Sequence, residues 1–281
     1  MDEHRLSQFT SEGLSFDVAD SGPVDGEPVV ALHGFPQTSA AWAAVIPLLT
    51  EAGYRVLAPD QRGYSPGARP HGIAAYTMSH LCGDVVALAD AAGVQRVHLL
   101  GHDWGAAVGW ALAATRPERV RTLTAVSVPH PAAFLRSLLG SQALRSWYMG
   151  FFQLPALPEL LFRARGGAVA RVLLRGMDHP DLDAAVRLLA DPATATGAIN
   201  WYRALRKPGD LDVGPVRVPT LYVWSDGDPA LGRRAADDTA SWVRGPYRFE
   251  VLRGASHWIP EEHPAELAGL VLEHLRSHPP G

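Results

Sequence analysis

The sequence predicts an α/β fold, a mostly parallel sheet flanked by helices and interrupted by an inserted helical lid, or cap. Three observations predict it. Apolar, β-rich runs alternate with helix-length stretches through the first 130 residues, the alternation stops after "VSVPHP", and it resumes with "VPTLYVWSDGD". Strands that alternate with helices need crossover connections, which make neighbouring strands parallel and cover both faces of the sheet. The expected organisation is a core of residues 1–130, a lid of residues 131–213 and a second core segment of residues 214–281.

Each element follows from local pattern. "RLSQFTSEG" and "LSFDVADSG" read as an antiparallel edge hairpin. "EPVVALHGF" leads to the helical "SAAWAAVIPLLTEAG", "YRVLAPD" leads through a loop to "SHLCGDVVALADAAG", and "RVHLLGHD" leads to "WGAAVGWALAATRPE" and the strand "VRTLTAVSVP". The insert reads as short helices broken at "QLPALPE", "MDHPD", "LADPAT" and "RKPGD". After it come the strand "VPTLYVWS", a helix from Ala230 to Val243, the strand "YRFEVLRGAS" and a last amphipathic helix "PAELAGLVLEHLRSH". A helical insert between strands lies over their carboxyl ends, where open sheets place their sites.

Composition narrows the function classes. The chain has 281 residues, 47% of them hydrophobic, enough for one large core. Its net charge of −4 and lack of a basic run argue against nucleic acid as a partner. Cys82 is the sole cysteine, so no disulfide forms within the chain, and a thiol on an apolar helix reads as a small buried hydrophobe. No secretory leader or bilayer-length apolar run is read, so a cytoplasmic protein without a membrane partner is expected. No metal-ligand spacing, Walker loop or dinucleotide fingerprint occurs, so neither metal nor cofactor is expected. The sequence is compatible with a homo-oligomer.

The chemistry is carried by "GHDWGA". Small residues flank Asp103 at the spacing of a nucleophile elbow, a strained strand-to-helix turn that exposes its apex side chain. The bland alternative is an ordinary N-cap aspartate. In the chain order of such sites, nucleophile, acid, histidine, the strand "TLYVWSDGD" supplies Asp228, with Asp226 left open, and "GASHWIPEE" supplies His257. "HGFP" ends another strand, and the amides of Phe35 and Trp104 form a candidate oxyanion hole at a helix N-terminus.

With "HGFP", "APDQRGYS", "GHDWGAA", "GDPAL" and "SHWIPEE", the chain resembles the α/β-hydrolase superfamily and, within it, the soluble epoxide hydrolases, nearly end to end. The resemblance implies Asp103 as nucleophile, Asp228 as the orienting acid, His257 as the base that activates water, and Phe35 and Trp104 as oxyanion-hole amides. Trp258, beside His257, joins the residues expected at the substrate. "SWYMGFFQLPALPE" and "NWYRAL" look like the family's two lid segments, which puts Tyr148 and Tyr202 over the substrate as acids. A cis peptide between Phe35 and Pro36 is also implied. The expected substrates are a small apolar epoxide and water.

The chemical reason for a carboxylate at the apex is independent of the resemblance. A carboxylate, with a reference pKa of about 3.9, is already anionic and can displace a leaving group from sp³ carbon. The rival readings are a haloalkane or haloacid dehalogenase using the same aspartate, or a non-catalytic binding protein on the same fold. Haloalkane dehalogenases typically carry Asn where this chain has Phe35, and fluoroacetate dehalogenases Arg where it has Trp104. An esterase would need Ser at position 103. Of the remaining residues, Asp60 and Arg62 are expected to brace a loop, Glu261 and Glu262 to cap the last helix, and His102 to pack structurally. Arginines 136, 145, 163, 165, 171 and 175 read as a solvated basic face of the lid.

Overall fold

The computed structural model describes residues 5–174, 177, 179–206 and 212–279. Its sheet has eight strands: β1 (Gln8–Ser11), β2 (Leu14–Ser21), β3 (Glu27–Leu32), β4 (Tyr54–Pro59), β5 (Val97–His102), β6 (Val120–Val126), β7 (Thr220–Ser225) and β8 (Tyr247–Leu252). They lie in the order β1-β2-β4-β3-β5-β6-β7-β8. The β1–β2 hairpin is antiparallel and joins β4 antiparallel; every other pairing is parallel. The chain thus moves from β3 to β4 on one side and returns to β5 on the other. That reversal opens a crevice at the carboxyl ends of β3 and β5.

Alternation along the central strands sorts side chains to the two faces. Val30, Leu32 and Leu99 pack with the cluster under α2 (Met78–Ala91) and α3 (Trp104–Thr115). Val29, Ala31 and Leu100 pack with the cluster under α1 (Ile46–Glu51) and the last helix, through Leu267, Val271 and Leu275. Each fully buried Val or Leu contributes about 1.5–3 kcal/mol. The sequence expectation of one helix from Ser39 is corrected: a 3-10 turn at Ser39–Trp42 precedes α1, whose Pro47 lacks the N–H an interior position would need.

Between β6 and β7 the described residues form α4 (Pro131–Ser137), α5 (Gln142–Arg145), α6 (Trp147–Phe151), α7 (Leu157–Arg163), α8 (Ala168–Leu173), α9 (His179–Ala190) and α10 (Pro192–Ala204). No strand occurs among them. Helix α10 sits close on the loop after β4 because Gly197 meets Gly63: a Cβ on Gly197 would fall 2.7 Å from Gly63 Cα. Trp201 Nε1 donates to Arg62 O at 2.8 Å, and Asp191 caps the helix at Thr194 N.

The arginines expected to be a solvated face do more than that. Arg145 Nη1 donates to the carbonyls of Asp228 and Pro229 at 3.1 and 3.0 Å, and Arg171 pairs with Asp183 at 2.6 Å. Arg175 and the side chain of Arg165 lie outside the described residues. Arg62 and Asp60 do brace a loop: Arg62 grips Asp84 with two nitrogens, and Asp60 accepts from Ser39 N at 2.8 Å. Cys82 is buried, its thiol 3.8 Å from Val108 O.

After β7 the expected helix from Ala230 to Val243 is shorter. It is α11 (Arg233–Asp238), followed by a 3-10 turn at Thr239–Trp242. The amides of Ala230 and Leu231 are held instead by Asp228 Oδ1, at 2.7 and 3.0 Å, and that of Gly232 by Gln142 Oε1. The side chain of Asp228 closes a local turn, and Gly232 after it is extended (φ −86°, ψ 154°), so the helix begins only at Arg233. Two helices close the chain, α12 (Ile259–Glu262) and α13 (Pro264–Arg276).

Candidate active site

Asp103 stands at the end of β5 with φ 51° and ψ −118°, a conformation sterically unfavourable for a residue with a Cβ. Its neighbours make room. A Cβ on Gly105 would fall 2.1 Å from Leu32 O, one on Gly101 2.3 Å from Gly105 O, and one on Gly34 2.4 Å from Asp103 Cβ. Three glycines therefore let the turn wedge between β3 and α3. Asp103 occupies the backbone cap position of α3, but its carboxylate makes no capping bond to the helix. Oδ1 instead accepts from the Phe35 amide at 2.7 Å, across the crevice. The Phe35–Pro36 peptide is cis.

Oδ2 of Asp103 lies 3.5 Å from His257 Nε2, and the other ring nitrogen of His257 is 2.7 Å from Asp228 Oδ2. Asp228 is fully buried and divides its carboxylate: Oδ2 faces the imidazole, and Oδ1 holds the turn that cut α11 short. Asp226 points elsewhere and accepts from Gly254 N at 2.6 Å. Burial alone would raise the Asp103 pKa, but the hydrogen bond and charge of His257, the His102 ring and the Phe35 amide outweigh it and hold the carboxyl below its usual range. Burial would likewise lower His257, yet Asp228 and Asp103 raise it well above an ordinary imidazole.

Groups behind the imidazole fix its loop. His257 O accepts from Ser127 Oγ at 2.9 Å and faces His102 Nε2 at 2.9 Å. Glu262, expected to cap the last helix, binds Ser256 N and Ser256 Oγ at 2.9 and 2.6 Å, beside His257. Glu261 contacts the Gln37 amide. Neither caps α13, because α12 intervenes and turns both carboxyls back to the site. The sequence held no motif for Ser127 or Gln37; their only signal was position just past β6 and β3.

An apolar cavity of about 160 Å³ opens over Asp103. Phe35, Trp104, Trp258 and His257 line it from the core, Tyr148 and Tyr202 from the lid. Most of the remaining wall is carbon, including Phe134, Met149, Phe152, Leu173, Leu174 and Leu205, which sequence reasoning did not single out because apolar lid residues look alike. Tyr148 and Tyr202 are edge-to-face with ring centroids 6.0 Å apart, and Tyr202 also packs edge-on against Trp104 at 5.0 Å. Burial, then the Asp103 charge, push both phenols up in pKa, so both hydroxyls stay protonated. The two lid segments are locked by Arg203, which grips Glu159 and donates to the carbonyls of Phe152 and Leu154, and by Gln153, which donates to Tyr202 O at 3.0 Å.

Comparison with known proteins agrees with this fold. A family model described as the alpha/beta hydrolase fold matches residues 27–173. The chain is 36% identical to the AB hydrolase superfamily protein YfhM of Bacillus subtilis, over 99% of this chain and 100% of that protein. It is 32% identical to epoxide hydrolase A of Mycobacterium tuberculosis, over 94% and 95% of the two. Among solved structures, epoxide hydrolase A from Mycobacterium thermoresistibile superposes with a TM-score of 0.79 at 27% identity, over 98% of each chain. Among the described residues no helix is long and apolar enough to cross a membrane, and no cluster of metal-ligating side chains occurs.

Proposed function

The chain belongs to the α/β-hydrolase family, in its epoxide hydrolase-like branch, and from that membership we propose that it converts an epoxide to a vicinal diol through an alkyl ester on Asp103. Epoxide hydrolysis is the activity its relatives and structural neighbours support. The observation that carries the ester route is the divided Asp103 carboxylate. Oδ1 is bound by the Phe35 amide and Oδ2 lies 3.5 Å from His257 Nε2, while the Asp103 side chain lines an apolar cavity shared with two protonated tyrosines.

In the first step Asp103 Oδ2 attacks an epoxide carbon from behind the breaking C–O bond. The ring oxygen takes a proton from Tyr148 or Tyr202, giving a hydroxyalkyl ester and a tyrosinate. Esterification also removes the Asp103 charge, one of the two that raise His257. The imidazolium then gives its proton to the tyrosinate and becomes the base. In the second step neutral His257, oriented by Asp228, takes a proton from water, whose oxygen attacks the Asp103 carbonyl carbon. The oxyanion forms on Oδ1, stabilised by the amides of Phe35 and Trp104. The intermediate collapses by breaking the bond to Oδ2, which leaves with the diol. Protonation of the diol and ionisation of Asp103 restore the resting state.

This route predicts where oxygen goes. In a single turnover with excess enzyme and phenyloxirane in ¹⁸O-water, the diol is expected unlabelled and the Asp103 peptide to gain one ¹⁸O by mass spectrometry. Label in the first-turnover diol would mean direct attack by water and would remove the ester.

The choice of acid is tested separately. Asp228→Asn keeps an oxygen for the Ala230 and Leu231 amides but presents the wrong tautomer to His257, so turnover is expected to fall on the order of 10⁴-fold. Asp226→Asn keeps an acceptor for Gly254 and is expected to stay within a few-fold of wild type. Steady-state kinetics that reverse this ranking would move the role by two residues.

A further inference from the structure

The loop that carries His257 ends in a hydrogen-bond chain whose polarity can be worked out group by group. His257 O faces His102 Nε2 at 2.9 Å, His102 Nδ1 is 3.3 Å from Gln37 Oε1, and Gln37 Nε2 meets Glu261 Oε1. His102 is completely buried, and burial, then the charge of His257, lower its pKa to about 4, so its ring carries a single N–H. A carbonyl can only accept. The N–H therefore sits on Nε2, and Nδ1 presents a lone pair.

Whatever faces that lone pair must donate. Gln37 can do so only with its NH₂ toward His102, the reverse of its orientation in the structure; the two orientations are equivalent in shape, and hydrogen-bond bookkeeping selects the flipped one. Its carbonyl then points at Glu261, and the group meeting a carbonyl must also donate. A carboxylate cannot.

We propose that Glu261 is held as a carboxylic acid and that, through Gln37 and His102, it is a positioning residue for His257. A second observation has the same sense. The other carboxyl oxygen of Glu261 is buried with no hydrogen-bond partner, which is far less costly for a neutral acid than for a charge. The ionisable groups around it are Asp181 from α9, which raises its pKa, and His257, which lowers it, with neutral His102 behind Gln37 and Glu262 turned to Ser256. Burial dominates, and the Glu261 pKa is pushed up to about 8.

Ionisation would reverse the chain. A Glu261 carboxylate demands the Gln37 NH₂, the Gln37 carbonyl then faces His102 Nδ1, and the His102 proton moves to Nδ1, leaving Ser127 as the one donor to His257 O. The proposal rests on the reading of His257 as the base for ester hydrolysis. It is tested by single-turnover rates of both half-reactions from pH 6 to 9.5. Wild-type ester hydrolysis is expected to be roughly tenfold slower at pH 9 than at pH 7, when about nine-tenths of Glu261 is ionised. Glu261→Gln, which donates without titrating, is expected to match wild type at pH 7 and to lack this alkaline fall. Glu261→Met, which has no donor, is expected to be slow at both pH values.

An alkaline fall unchanged in Glu261→Gln, or a wild-type rate in Glu261→Met, would overturn the proposal. Thermal melts test the protonation by itself. Because the folded state binds the proton more tightly, wild-type stability should decline between about pH 4.5 and 8 relative to Glu261→Gln; parallel melting curves would mean no buried acid. If His257→Gln hydrolyses the ester normally, the reading of His257 fails, whereas a trapped ester in His257→Gln with an unchanged alkaline fall in Glu261→Gln defeats the positioning role alone.

Discussion

Replacing His257 with Gln is expected to stop turnover while leaving Asp103 able to react, so that the enzyme accumulates as its alkyl ester. Loss of a catalytic histidine lowers turnover on the order of 10⁴-fold or more. Mass spectrometry after mixing with an epoxide should show the mass of one epoxide added to the peptide containing Asp103. The variant should also respond to pH in a particular direction. His257 is the largest of the influences that keep Asp103 ionised against burial, so without it the carboxyl pKa rises and alkylation should weaken toward acid pH. An unmodified Asp103 peptide at every pH, alongside an active wild type, would exclude Asp103 as nucleophile.

The tyrosine pair gives the second large effect and separates an epoxide from a halide as leaving group. General acid catalysis contributes about 10² to 10⁴-fold. Two donors to one oxygen cover for each other in part, so Tyr148→Phe and Tyr202→Phe should each slow epoxide opening, and the double variant should nearly abolish it. The rings remain, and with them the packing of Tyr202 on Trp104 and Phe35. An alkyl halide has no oxygen to protonate, so alkylation of Asp103 by a matched halide should survive in all four proteins. Single-turnover rates measure both. Epoxide opening at the wild-type rate in the double variant would reduce the tyrosines to lid packing, and a wild type that prefers halides would replace the epoxide assignment.

Sequence and structure agree where the signal is local. The run at Val29–Leu32 is apolar throughout, and Val97–His102 is buried throughout with histidines only at 98 and 102, because both faces of a central parallel strand are covered; that pattern needs only a few residues to be read. The glycines at 101 and 105 could be read as elbow glycines, although what they avoid, the carbonyls of Gly105 and Leu32, appears only in three dimensions. The helix after β7 is shorter than its local pattern suggests. Ala230 and Leu231 favour a helix, but Asp228 turns the chain there and Gly232 is extended, its amide held by Gln142 of the lid, 90 residues away. Glu261 and Glu262 misled similarly: acidic residues before an amphipathic helix look like caps, and the short α12 directs them to Gln37 and Ser256 instead.

By itself the sequence determined the sheet and its crossovers, the strand-to-helix turn at residue 103, and the presence there of a carboxylate rather than a hydroxyl, because each is set by residue types within a few positions of one another. Only the tertiary structure decided which of Asp226 and Asp228 meets His257, what stands behind His102, and how the lid closes the cavity. Those contacts join residues such as His102 and His257, 155 positions apart, and depend on how strand ends and lid helices dock. Backbone periodicity is insensitive to that docking, since a loop can turn either of two neighbouring carboxylates inward without altering any pattern along the chain.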